Sequence, residues 1–171
     1  MMTGMPSTEE RLWHHEAAHA VAYEWAGIPV LDVTARAGRD NDDAFDYSGR
    51  TRPTRSLAEW VAEDRSGRTS KALVVLLAGP EAGDHVLKDQ PADGYHAGSL
   101  ADVEEAKKLL AQFDGKLDLA AAKASAEVFV RDRWQMILAV AAELARIDVL
   151  SGDGLRKIIE RCANPSAEQS S

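Results

Sequence analysis

The sequence predicts a mainly helical α+β domain with one small sheet. Capping-box patterns open two of the candidate helices. The 171 residues include 29 alanines, and aromatic residues make up only 6%, which suits close helix-on-helix packing. A single alternating, β-branched stretch, Val30-Leu31-Asp32-Val33-Thr34, reads as a strand.

The elements follow in chain order. Ser7-Thr8-Glu9-Glu10 is a capping box, with Ser7 or Thr8 as the cap, for a helix over about 9–26. Gly27-Ile28-Pro29 stops it, and the strand at 30–36 comes next. Residues 37–54 are rich in Gly, Asp, Asn and Arg and read as a loop, with 45–50 as a short partner strand. Ser56-Leu57-Ala58-Glu59 is a second capping box, opening a helix to about 66. A helix over about 69–88 contains Pro80, which is expected to kink it after Gly79. Residues 89–98 read as loop. Ser99 is expected to cap a helix to about Phe113, closed by Asp114-Gly115. The alanine-rich 117–147 reads as a long helix in one or two pieces, and Ser151-Gly152-Asp153 opens a last helix to about Cys162. Residues 1–8 and 163–171 are expected to be loose, leaving 9–162 as the folded domain.

Composition narrows the function classes. A net charge of -8 argues against an electrostatic nucleic-acid binder and a polybasic membrane-surface protein. One cysteine, Cys162, excludes an intramolecular disulfide and a cysteine-based zinc finger; half-buried helix packing is its expected role. The sequence shows no signal-peptide pattern and no apolar run near the ~20 residues that span a bilayer. A soluble cytoplasmic protein is the expectation.

The chemistry is carried by His15-Glu16-Ala17-Ala18-His19, an HExxH motif. On a helix, positions i and i+4 share a face, so two imidazoles can hold one zinc ion. Glu16 then stands where it can take a proton from a zinc-bound water. Chance would give this motif in roughly one such sequence in a hundred. A catalytic zinc has three protein ligands and an open position. The extended metzincin pattern is excluded, because Trp25 and Ala22 stand where it needs His and Gly. A Glu from a downstream helix, Glu59 or Glu63, or an Asp much further along, remains open as the third ligand.

The chain also resembles the peptidase domain of the FtsH-type membrane AAA+ zinc metalloproteases. His15-Glu16-Ala17-Ala18-His19-Ala20 is similar to that family's HEAGHA motif, and Val33-Thr34 to its Val-Thr strand. Leu76-Leu77-Ala78-Gly79-Pro80-Glu81-Ala82 is similar to its LLAGRAAEE stretch. Gly98-Ser99-Leu100-Ala101-Asp102 is similar to its GASND segment, and the stretch over 149–159 to its TLDGEELREIL stretch. Order and spacing hold over about 9–161. The resemblance implies a zincin-like helical metallopeptidase domain with a small sheet near the metal, and Asp102 as the third zinc ligand. It also implies that the strand at 30–36 is an edge near the zinc that pairs with substrate backbone, with a plain structural hairpin left open as the alternative.

The departures are Ala101 in place of Asn, Ala18 in place of Gly, and Pro80 in place of a basic residue. The sequence contains no GxxxxGK[ST] phosphate loop, so ATP-driven unfolding does not carry over.

The resulting expectation is an ATP-independent zinc metalloendopeptidase. His15, His19 and Asp102 bind the metal, Glu16 is the general base, and peptides or unfolded segments are the substrates. A homo-oligomer or a separate partner protein is compatible with it. The alternative is a catalytically silent zinc module for peptide recognition or regulation. Among the other candidates, His14 is turned about 100° from His15 and is expected to face away. His96 reads as a loop histidine and His85 has no assigned role. The acidic stretch 39–46 reads as a solvated loop. Trp13, Trp25, Trp60 and Trp134 read as core or interface anchors.

Overall fold

The computed structural model describes residues 8–39, 45–86, 97–112 and 117–165. The expected positions of His96 and of most of the acidic loop, 40–44, lie outside them, as do residues 1–7 and 166–171. The architecture is mainly helical, with seven helices and a three-stranded antiparallel sheet among the described residues.

Helix α1 (Thr8–Ala26) is the hub. Its alanines at 17, 18, 20 and 22 are fully buried, so neighbouring helices approach its backbone closely. It ends where the sequence expects, at Gly27, which takes φ +83. Gly27 N–H donates to Glu24 O at 3.0 Å and Ile28 N–H to Tyr23 O at 2.9 Å, the paired bonds of a Schellman cap.

Strands β1 (Val30–Arg39) and β2 (Phe45–Pro53) form a hairpin. Val33 opposes Thr51 and Ala35 opposes Gly49; buried Val33 and Ala35 mark this as the face turned to the core. Both strands run longer than the sequence reading. The sheet order also corrects the expectation that the 30–36 strand is an edge. Strand β3 (Val149–Ser151) pairs with β1 on its other side, through Asp32, Thr34 and buried Leu150 opposite Val33, so β1 is central and β2 is an edge. Three residues between a helix end and a helix cap are too few for an alternation signal, which is why β3 is not legible in the sequence.

Helix α2 (Leu57–Glu63) opens with the expected capping box, Ser56 and Glu59 each bonding the other's backbone N–H. It stops at Glu63, short of the expected 66, because Asp64 interrupts it and caps α3 (Arg65–Val86) through Gly67 N–H at 3.1 Å. Helix α3 starts four residues earlier than the sequence reading and runs on through buried Pro80. One face of α3 packs on α1. The other carries Leu73 and Leu77, which meet Val103 and Ala106 of α4 (Ala97–Ala111) and Ala122 and Ala126 of α5 (Leu119–Asp132). This second cluster seats α4 on α3.

Helix α4 begins before Ser99, which is a buried residue inside its first turn rather than its cap. The 117–147 stretch divides at Arg133 into α5 and α6 (Trp134–Ile147). Helix α7 (Gly152–Ala163) is capped as expected by Ser151, whose hydroxyl accepts from Gly154 N–H at 3.1 Å. Among the described residues no helix is long and apolar enough to cross a membrane.

Candidate metal centre

The HExxH residues lie in the middle of α1, on the side facing α3, α4 and β2. His15 Nε2 and His19 Nε2 are 3.1 Å apart. Asp102, in the first turns of α4, brings Oδ2 to 3.1 Å from each. Ligands 2.0–2.2 Å from a tetrahedral metal lie roughly 3.4 Å from one another, so the three atoms, 3.1 Å apart, are close enough together to share one metal ion. His15, His19 and Asp102 are the group among the described residues that could hold a metal ion.

The donor chemistry points the same way. His19 Nδ1–H donates to Val75 O at 2.8 Å, which leaves Nε2 of the neutral ring with a bare lone pair. That lone pair faces a carboxylate oxygen and a second imidazole. Acceptors converging like this need a cation between them, a proton or a metal. Burial works against a charged His19, but the hydrogen bond and charge of Asp102 outweigh it, and the pKa is pushed up to about 9. Burial likewise resists ionisation of Asp102, yet its bonds to His15 and His19 hold its carboxyl below the usual carboxylate range.

A pH effect on the metal-free protein follows. His19 has a folded pKa of about 9 against 6.5 for the free group. Its contribution to stability is therefore complete below pH 6.5 and is lost as pH rises through 9. Melting temperatures of chelated protein should fall over that window. Zinc-saturated protein should not follow, because metal displaces the proton and binds more tightly as pH rises. Parallel melting curves of the two forms check this.

Glu16, between the two histidines in sequence, is buried at 6% exposure. Its carboxylate reaches strand β2, where Thr51 Oγ1 stands within reach of both Glu16 Oε2 at 3.0 Å and Glu16 O at 3.2 Å. Gly49, the next inward residue of β2, leaves no room for a side chain, since a Cβ there would overlap Glu16 Oε1. The cluster is not sealed: the His15 and Asp102 side chains keep 12% and 23% of their exposure.

Helix α3 makes an equally close approach. A Cβ at Gly79 would overlap His19 Nε2 and crowd His15. Gly79→Ala should therefore displace the rings, lowering zinc affinity at least tenfold in a chelator competition. The cost to global stability should stay within the ~1–3 kcal/mol of ordinary overpacking.

Other sequence candidates fall elsewhere. Glu59 is occupied in the Ser56 capping box, and Glu63 pairs with Arg55 and with Arg68, so neither joins the histidines. His14 does face away, its Nδ1 donating to Glu10 O at 2.6 Å and its ring stacking on Trp134 at 5.4 Å. His85 packs on the same indole at 4.3 Å. Trp60 is buried, Trp25 lies against Phe129 at 5.0 Å, and Trp13 and Trp134 flank the core. Cys162 is half-buried against the core.

The sequence reading missed Thr51, Gly49 and Tyr23. Tyr23 is one turn beyond His19 on α1. Burial first, then the charges of Asp102 and Glu16, push its phenol up to about 12, so it keeps its proton at neutral pH. The continuing i, i+4, i+8 spacing from His15 was the available signal. No protein-family model matches the chain, and no curated protein matches it.

Proposed function

We propose that this chain is a zinc metallopeptidase acting on peptides or unfolded segments. The observation that carries the reading is the convergence of His15 and His19 of α1 with Asp102 of α4, with Glu16 beside them and partial access from solvent. Two histidines and a carboxylate are a normal catalytic zinc donor set, which leaves a fourth position for water or substrate. When bound, zinc supplies Lewis-acid chemistry for the water and the scissile carbonyl.

The chain's own residues do the rest. Val75 O fixes the His19 tautomer so that Nε2 faces inward. Thr51 holds Glu16 Oε2, leaving Oε1 to accept a proton from the attacking water. The protonated Glu16 then delivers that proton to the leaving amine. Strand β2, the sheet edge against Glu16, offers backbone groups for an extended peptide to pair with. This reading places the substrate-pairing role on β2 rather than on β1.

The resemblance of these residues to FtsH-type peptidases supports the same chemistry. The test is zinc content together with turnover of an unfolded casein-like protein. Stoichiometric zinc and chelator-sensitive cleavage support the reading. Stoichiometric zinc without cleavage across a broad substrate panel would favour the silent zinc module instead.

A further inference from the structure

We propose that β2 selects extended peptides carrying Asp or Glu at alternate positions, with Arg50 as the side chain that reads them. The proposal rests on the peptide reading above, and it concerns which peptides bind rather than how they are cut.

Strand β2 is the edge of the sheet, and no other described strand pairs with its outer side. Its inward residues Gly49 and Thr51 touch Glu16, so a strand added to this edge runs past the general base. Alternation along β2 puts Ser48, Arg50 and Arg52 on the opposite face, and all three are exposed. Arg50 opposes Thr34, and Arg52 opposes Asp32, with which it forms an ion pair. Arg36, exposed and opposite Ser48, lies diagonal to Arg50 on the same face.

Among the described residues no acidic side chain pairs with Arg36 or Arg50. Among the described residues, Arg50 is thus an exposed edge arginine without an acidic partner in a chain of net charge -8. In an added strand, every second residue sits on the Arg50 face, next to Ser48, Arg50 or Arg52. Opposite charges at directly facing positions stabilise a strand pair, and like charges destabilise it. The face therefore favours acidic residues spaced by two and disfavours basic ones.

The test uses the full chain loaded with zinc. Binding is read by fluorescence anisotropy in the Glu16→Gln background, which prevents turnover, and cleavage is read in the otherwise wild-type chain. The probes are labelled ten-residue peptides that share a backbone and carry Glu, Gln or Lys at alternate positions. The Glu peptide should bind about two- to three-fold tighter than the Gln peptide, as one facing pair with Arg50 would give, Arg52 being already paired with Asp32. This preference should shrink with added salt. Arg50→Lys should keep it, and Arg50→Glu should transfer it to the Lys peptide. The wild-type Glu-over-Gln ratio and its salt dependence decide the matter even where a variant does not fold. Equal binding of Glu and Gln peptides, a preference unchanged in folded Arg50→Glu, or tighter binding of a single-stranded oligonucleotide than of the Glu peptide would each overturn the proposal. Glu preference without cleavage of any peptide sustains it and removes the peptidase reading. Cleavage without Glu preference does the reverse.

Discussion

Under the proposed peptidase function, replacing Glu16 by Gln should leave zinc bound and lower peptide hydrolysis by about 10²–10⁴-fold, the usual worth of a general base. The side chain is not a metal donor here: its carboxylate points to β2, with Thr51 Oγ1 3.0 Å from Oε2. Glutamine has the same shape, and its carbonyl oxygen can still accept from Thr51. Packing against Gly49 is thus retained, and what disappears is the capacity to take a proton. The loss should fall on kcat rather than KM, because the backbone edge that would bind a peptide is untouched. Zinc content and kcat measured on one preparation check this. Unchanged kcat would show that Glu16 is not the base.

The second large effect is at Asp102. Asp102→Ala should lower zinc affinity by more than the 10–100-fold that follows loss of a group merely supporting a ligand. The carboxylate supplies one of three converging atoms, 3.1 Å from each imidazole nitrogen. Helix α4 is held on α3 by Val103 and Ala106 against Leu73 and Leu77, contacts that do not involve the Asp102 side chain. The variant should therefore fold, with some loss of metal-free stability because the Asp102 bond to His19 is gone, and its main defect should lie in metal binding. Competition with a zinc chelator gives the number. Affinity within threefold of wild type would remove Asp102 from the centre.

Much of this was legible in the sequence because it is local. Ser56 and Ser151 announce their helices through side chains that bond backbone three residues on. HExxH needs only the helical repeat to put His15 and His19 on one face. Asp102 is different. Its place depends on α3 being sandwiched between α1 and α4, and no spacing rule across 83 residues encodes that; the family resemblance pointed to it. The centrality of β1 was hidden for the same reason, since its second neighbour, β3, is three residues long and 115 or more positions away. Thr51 and Gly49 look ordinary in the sequence. They acquire a role only when β2 is laid against Glu16 by the packing of the hairpin on α1.

The most direct test is a crystal structure of zinc-loaded protein with anomalous diffraction at the zinc edge. One zinc peak should lie within about 2.0–2.2 Å of His15 Nε2, His19 Nε2 and Asp102 Oδ2, with a fourth position open toward β2. Zinc held without Asp102, bound by Glu59 or Glu63, or closed off by a fourth protein ligand would contradict the account.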